Sequence, residues 1–197
     1  MTPGAGRAGR GNEASPLVWN VAGVLGEGIG AMRDYAFDGV ELDPGDGLRL
    51  AEPVSGRVHL ARTNRGLLVD ADIHTVLATE CSRCLREMTV PLDIEIDDEA
   101  LPSIDLQSGA PVKLSQEDEE AGVIRLTDHH ELDLEQAIRE AIQLNEPIAP
   151  LDREDCPGLC VVCGLPLDEG VHDHPVEEID PRLEALKAFR PEDEPEE

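Results

Sequence analysis

The stretch from Cys156 to Pro175 holds the residues with the clearest chemical potential in the chain. A Cys-x-x-Cys followed within a short loop by two further thiol or imidazole ligands is typical of a tetrahedral zinc site. Two cysteines and both histidines of this stretch form the predicted ligand set: Cys160, Cys163, His172 and His174. Cys156 is then either a spare thiol or a replacement for one of the histidines.

Residues Cys160 to Gly164 have the form of a metal knuckle, a tight turn in which two thiolates converge on one ion. Backbone N–H groups point at the sulfurs in such a turn, and the residue after the second cysteine often takes a positive φ, which glycine permits. The alternative is a set of surface thiols and imidazoles without metal. The density of ligands in so short a stretch favours the metal site.

A second Cys-x-x-Cys lies far away in the chain, at Cys81 and Cys84. It is predicted at the tip of a hairpin between two long strands, and Leu85 stands where a knuckle would favour glycine. The alternating pattern after Cys84 predicts a strand, whereas a redox pair would need a helix N-terminus to lower the thiol pKa. Two interpretations stay open: the pair joins two of the C-terminal cysteines in an all-thiolate centre, or it packs without metal.

The composition restricts the function classes. The 197 residues include 16 Lys and Arg against 43 Asp and Glu, a formal net charge of −27, and only 2% are aromatic. Such a surface repels phosphate backbones and offers few rings for base stacking, so direct nucleic-acid binding is not expected and a basic protein partner is. No apolar run predicts a signal peptide or membrane span, so a cytoplasmic protein with reduced thiols is expected.

The hydrophobic pattern predicts an α+β fold: a mainly antiparallel sheet, open or closing into a barrel, with one docked amphipathic helix and a C-terminal zinc-knuckle segment plus a short helix. Residues 69–77 and 88–96 alternate apolar and polar side chains, as half-buried strands do. Pro91 predicts a sheet edge or a bulge. Asp133 is the predicted N-cap of a helix that ends near Leu144.

Four regions follow from these patterns. A disordered arm is predicted over residues 1–16 and a sheet-and-helix domain over 17–150, with an acidic loop near 100–125. Residues 151–190 form the predicted zinc-binding segment and a short helix, and 191–197 an acidic, disordered tail.

The order of these motifs resembles that of the YceD family, the large ribosomal RNA subunit accumulation proteins. The resemblance is carried by CSRCL at 81–85, the helix, CPGLCVVCG at 156–164 and DPRL at 180–183, and it spans residues 17–189. It implies a role in accumulation of the large-subunit ribosomal RNA. Where many members of the family have Cys-x-Cys, this chain has His172-x-His174, a change that zinc tolerates.

The expected function is therefore a non-enzymatic factor in ribosome biogenesis that contacts a basic ribosomal protein or an assembly factor. No Lys or Arg lies between Cys156 and His174, so the zinc site is expected to be structural rather than to bind RNA. The alternative is a zinc-dependent hydrolase or a redox protein that uses the same cluster. A third class, an RNA-binding factor that uses Arg7 and Arg10, is disfavoured because two cations do not outweigh the acidic surface.

Overall fold

A computed structural model describes residues 15–174 and residue 182. These residues form two sheets and three helices, and strands dominate. In chain order the elements are β1 (Val18–Asn20), α1 (Ala22–Gly26), β2 (Met32–Val40), β3 (Arg49–Arg62), β4 (Leu67–Glu80), β5 (Glu87–Leu101), α2 (Gln116–Ala121), β6 (Ile124–Arg125), β7 (Glu131–Asp133) and α3 (Glu135–Leu144).

The larger sheet has five strands in the order β2-β3-β4-β5-β6. Strands β2 to β5 pair with one another in antiparallel fashion, and β6 pairs with β5 in parallel through two residue pairs. In β4 the residues at odd positions from Leu67 to Leu77 are buried, as the alternation predicted. The barrel alternative is wrong for the described residues, because β2 and β6 remain separate edges of an open sheet.

Strand β3 continues through a proline. It is one 14-residue strand that runs from Arg49 to Arg62. Its pairing with β4 shifts register between Leu50 and Glu52 and again between Glu52 and Ser55. These irregularities surround Pro53, which has no N–H to donate to the ladder, so the strand continues past the proline through bulges.

Strand β5 confirms the edge prediction for Pro91. Pro91 lies opposite Val76 of β4 with no register shift. On its other side β5 pairs, among the described residues, with β6 only at Ala100 and Leu101. The missing N–H of Pro91 therefore falls where no neighbouring strand requires it.

Helix α3 and the small sheet β1-β7 pack on the inner face of the large sheet. Ile138 and Ile142, one turn apart, are both buried, and they belong to the same aliphatic core as Val58, Leu60 and Ile73 of the sheet. The helix begins at Glu135, two residues after the predicted cap, and Leu134 occupies the N-cap position. Asp133 nevertheless contributes, because its carboxylate accepts the backbone N–H of Glu135 at 2.9 Å.

The acidic stretch after β5 contains a helix that its charge did not suggest. Helix α2 begins with a capping box in which Ser115 and Asp118 each accept a backbone N–H of the other. Gly122 ends it in the left-handed conformation, with φ of 70°. Arg65 of the β3–β4 turn pairs with Asp118, which attaches this helix to the large sheet.

This helix is expected to loosen in acid. Hydrogen bonds from Ser115 and from Arg65 lower the pKa of Asp118 to about 2. A carboxylate with a depressed pKa in the folded state contributes stability that is complete above its unfolded pKa of about 3.9 and is lost as pH falls through the folded value. The stability gained from Asp118 should therefore disappear between about pH 4 and about pH 2.

Hydrogen exchange of the amides of Glu119 and Gly122 measures this effect, because both amides donate within α2. Asp118→Asn should lower the protection factors of both amides at neutral pH. It should also remove most of the change in these protection factors between about pH 4 and about pH 2. Glu117→Gln is the matched control, since Glu117 is exposed and lies in the same turn. Equal protection in wild type and Asp118→Asn at pH 7 would contradict the prediction.

Several predicted segments lie outside the described residues: the arm at 1–14, most of the C-terminal helix at 180–189, and the tail at 191–197. Within the described part of the chain, no helix combines the length and the apolar character that crossing a bilayer requires.

Candidate metal centres

The turn between β4 and β5 places the first cysteine pair. Residues 81–86 join two of the three long antiparallel strands, so Cys81 and Cys84 lie at a hairpin tip, as predicted. The N–H of Cys81 bonds the carbonyl of Arg86 at 2.8 Å, and the N–H of Leu85 bonds the carbonyl of Cys81 at 2.9 Å. Both thiols are buried.

The second pair adopts the same backbone hydrogen-bond pattern. The N–H of Cys160 bonds the carbonyl of Leu165 at 2.7 Å, and the N–H of Gly164 bonds the carbonyl of Cys160 at 2.8 Å. Gly164 has φ of 73°, and Leu85 at the matching position of the hairpin has φ of 58°. Leu85 therefore takes the left-handed conformation without glycine, so its identity does not prevent a knuckle at the hairpin tip.

The C-terminal cluster consists of Cys160, Cys163, His172 and His174. One ligand atom from each of these residues lies within 4.8 Å of all the others. The structure thus brings together all four residues of the predicted ligand set. Their binding of an ion stays a prediction.

Both histidines of this cluster are prepared to act as ligands. Nε2 of His172 lies 3.0 Å from the carbonyl oxygen of Pro166, so it donates its hydrogen there and leaves Nδ1 free as a lone-pair donor. That Nδ1 lies 3.5 Å from Sγ of Cys163. Nε2 of His174 is buried and has no hydrogen-bond partner among the described residues. A metal ion would satisfy this nitrogen.

The hairpin-tip cluster consists of Cys81, Cys84, Asp152 and Cys156. Cys81 lies 3.7 Å from Cys156, sulfur to sulfur, and its Sγ lies 3.3 Å from Oδ1 of Asp152. Cys156 is therefore neither spare nor a member of the C-terminal set in this arrangement. The predicted all-thiolate alternative also differs from the structure, because the hairpin pair meets one C-terminal cysteine and a carboxylate.

One separation in each cluster can be compared with tetrahedral zinc, and both fit. Zinc lies about 2.3 Å from thiolate sulfur and about 2.0 to 2.1 Å from imidazole nitrogen. Two tetrahedral ligands at these lengths lie about 3.8 Å apart when both are sulfur and about 3.5 Å apart when one is nitrogen. The observed distances are 3.7 Å for Cys81 to Cys156 and 3.5 Å for Cys163 to His172. All five cysteines are free thiols, so no disulfide competes for them.

The environment favours the thiolate form of Cys81 and Cys160 and opposes that of Cys156. Backbone N–H groups of Cys163 and Val162 lower the pKa of Cys160 to about 7. Burial opposes ionisation of Cys81, but N–H groups of Asp152, Cys84 and Arg83 outweigh it and lower the pKa of this thiol. Burial and the carboxylate of Asp152 raise the pKa of Cys156. Thiolate is the form that binds metal.

Hydrogen bonds and ion pairs hold the segment 150–169 against the hairpin tip. The N–H of Ser82 bonds the carbonyl of Pro150 at 2.8 Å, and the guanidinium of Arg83 donates to the carbonyl of Cys156 at 3.0 Å. The guanidinium of Arg86 donates hydrogen bonds to both carboxylate oxygens of Asp168, at 2.9 and 2.5 Å, and this pairing lowers the pKa of Asp168. Residues about 70 to 80 positions apart therefore build one site.

The remaining histidines lie elsewhere. His59 and His74 are on the outer face of the sheet and pair with Asp34 at 2.6 Å and Asp93 at 2.8 Å. His129 and His130 lie just before β7 and belong to neither cluster. Asp152 is the one member of the two clusters that the sequence pattern did not predict, because it is one acid among 43 and no spacing motif includes it.

Each cluster holds four protein groups that could bind one ion. Four protein ligands are typical of structural zinc, whereas catalytic zinc keeps an open position. Cys84 leads into strand β5 rather than into a helix, so the hairpin pair lacks the helix N-terminus of redox motifs. The chemistry of both clusters therefore favours a structural role over a catalytic or redox role.

Comparison with known proteins identifies the family. Residues 69–190 match the family model described as large ribosomal RNA subunit accumulation protein YceD. The chain belongs to the YceD family. It is 33% identical over 180 residues to uncharacterised proteins of Mycobacterium tuberculosis and Mycobacterium bovis, covering 88% of this chain and 81% of each relative. An uncharacterised protein of Mycobacterium leprae is 29% identical over 132 residues, 66% of this chain and 55% of that protein. No solved structure matches the chain.

Both clusters lie inside the YceD match. It begins at residue 69 in strand β4, before the first cysteine pair, and extends past His174. The strands that position the hairpin tip and the segment that covers it therefore belong to the part shared with the family. The family's description connects this chain to ribosome biogenesis.

Proposed function

We propose that this protein is a non-enzymatic, cytoplasmic factor in biogenesis of the large ribosomal subunit, supporting accumulation of its RNA by contact with a basic ribosomal protein or assembly factor. Membership of the YceD family supports the process. The charge of −27 supports a basic partner, since such a partner would be shielded from premature contact with RNA. A structural zinc ion at Cys160, Cys163, His172 and His174 holds the C-terminal segment in place.

The observation that supports a basic partner is an acidic patch at the centre of the outer sheet face. It consists of Asp70 and Asp72 on β4 with Glu95 and Asp97 on β5, all of them exposed. In the register of the sheet, Asp70 lies directly opposite Asp97, and Asp72 lies directly opposite Glu95. Like charges in such cross-strand positions destabilise a sheet.

The acidic patch is only partly compensated within the sheet, where His59 and Arg57 of β3 lie opposite Asp70 and Asp72. The nearby histidines bind carboxylates at its border, His59 to Asp34 and His74 to Asp93. No residue of the acidic patch forms an ion pair within the described part of the chain. Lys or Arg side chains of a bound partner would neutralise both like-charge pairs at once, and this gain would be realised only on binding.

Affinity capture tests the proposal. The tagged full chain should recover a basic ribosomal protein or a large-subunit assembly factor at moderate salt, and nuclease treatment of the lysate should not abolish the recovery. Cells depleted of the protein should hold less large-subunit RNA relative to small-subunit RNA. Capture of no such protein, or an unchanged RNA ratio, would refute the proposal.

A further inference from the structure

We infer that the hairpin-tip cluster is a second metal centre, with its own ion bound by Cys81, Cys84, Cys156 and the carboxylate of Asp152. It is distinct from the ion at the C-terminal cluster and differs from it in ligand chemistry. The inference goes beyond the proposed function and does not depend on which partner the protein contacts.

The two clusters are complete without each other. Each contributes four ligand groups that lie within 4.8 Å of one another, and no residue belongs to both. Three of the four groups at the hairpin tip are thiols that are at most 5% exposed, although they come from positions 81, 84 and 156 of the chain. Three free thiols gathered around one point, with the sulfurs of Cys81 and Cys156 3.7 Å apart, are more than an aliphatic core requires.

The charges around the hairpin tip match the ion it would hold. Three thiolates and a carboxylate around a divalent cation leave a net charge of about −2. Three arginines surround this cluster: Arg83 donates to the carbonyl of Cys156 at 3.0 Å, while Arg86 and Arg153 lie 3.7 and 3.6 Å from the carboxylate of Asp152. Lys and Arg together number only 16 in the whole chain, so this concentration is selective.

The C-terminal cluster shows the opposite pattern. Two thiolates and two neutral imidazoles around a divalent cation leave no net charge. No Lys or Arg occurs in the sequence from Cys156 to His174, which includes the whole of this cluster. Arg86 and Arg153 also pair with Asp168, but Asp168 belongs to neither cluster, whereas Asp152 is a ligand group of the hairpin-tip cluster. The arginine contacts to ligand groups thus distinguish the two ligand sets.

Asp152 is placed as a ligand rather than as a simple partner of arginine. Its Oδ1 faces the sulfur of Cys81 at 3.3 Å, while its other oxygen, Oδ2, faces the guanidinium groups of Arg86 and Arg153. Its side chain is only 18% exposed. One oxygen on the ion and the other held by cations is the arrangement by which outer groups orient a metal-bound carboxylate.

Metal stoichiometry tests the existence of the second centre. The full chain, stripped of metal and titrated with zinc or cobalt under reducing conditions, should bind two equivalents. Cys163→Ser should retain one equivalent, with a thiolate-to-cobalt charge-transfer band of three-thiolate intensity. Cys84→Ser should retain one equivalent with two-thiolate intensity. A single equivalent in wild type, or two in Cys84→Ser, would overturn the inference.

Variants of Asp152 test its role. Asp152→Asn should weaken zinc binding at the hairpin tip at least tenfold, and Asp152→Cys should restore it as a four-thiolate centre with a stronger charge-transfer band. Asp155→Asn is the matched control, because Asp155 pairs with Arg153 at 3.5 Å but is 90% exposed and belongs to neither cluster. Unchanged affinity in Asp152→Asn would exclude the carboxylate as a ligand.

These measurements do not require every variant to fold. If Cys84→Ser is insoluble, native mass spectrometry of wild type and Cys163→Ser still distinguishes two ions from one. Failure to capture a ribosomal protein would leave the metal count unchanged, so the two proposals fail separately.

Discussion

Removing metal from the purified protein is expected to release residues 156–174 from the β4–β5 hairpin while the five-stranded sheet stays folded. A structural zinc site contributes on the order of 10 kcal/mol of folding free energy to a short segment. Apart from the contacts that Arg83, Arg86 and Arg153 make with it, the segment 156–174 has little apolar packing, since its exposed residues include Val161, Leu165 and Val171. Its internal order consists of turns and one isolated bridge between Leu159 and Pro166.

The expected signature lies in amide hydrogen exchange before and after chelation. The amides of Cys160, Gly164 and Leu167 donate hydrogen bonds within the segment and should lose protection by several orders of magnitude. Amides of Leu60 and Val69 in the sheet should keep theirs, because these residues lie in the aliphatic core. Unchanged exchange in the segment after complete metal removal would contradict a structural metal there.

The sheet was predictable because its signal is local. From Val69 to His74, odd and even positions of β4 alternate between a buried aliphatic and an exposed polar side chain, a pattern typical of a half-buried strand. The cysteine spacing likewise predicted that Cys160, Cys163, His172 and His174 could meet, since a short loop connects them. Both inferences depend only on neighbours in the sequence.

The hairpin-tip cluster was not predictable in the same way. Its composition depends on how residues 150–158 cross the turn at 81–86, and that crossing is set by contacts such as Gly158 against the backbone of Arg83. A carbon atom added at Gly158 would lie 3.3 Å from the carbonyl oxygen of Arg83, so glycine permits the close approach. Tertiary packing thus placed Cys156 and Asp152 at the hairpin tip, and no local spacing predicted that they would meet Cys81 and Cys84 there.

Helix α2 was missed for a different reason. Its signal was present, because Ser115 and Asp118 have the spacing of a capping box and Gly122 follows at the C-terminus. The density of acids suggested a solvated linker instead. Local capping chemistry and the pairing of Asp118 with Arg65 outweighed the repulsion among the helix's own carboxylates.

Neutralising half of the acidic patch is expected to stabilise the fold and to weaken partner binding. Glu95→Gln with Asp97→Asn removes one member of each like-charge pair and leaves Asp70 and Asp72 opposite His59 and Arg57. Relief of repulsion should raise the free energy of unfolding by a few tenths to about 1 kcal/mol. Affinity for a basic partner should fall about tenfold or more, which corresponds to about 1.4 kcal/mol.

Thermal unfolding measures the first effect, and binding of a Lys- and Arg-rich peptide at moderate salt measures the second. Glu119→Gln with Asp128→Asn is the matched control, because it removes the same two charges from exposed positions in α2 and the β6–β7 loop. Equal loss of affinity in both double variants would assign binding to net charge rather than to the acidic patch. The diagnostic result is a double variant of the acidic patch that is more stable and yet binds the peptide more weakly. A surface selected for stability alone would not place Asp70 against Asp97 and Asp72 against Glu95.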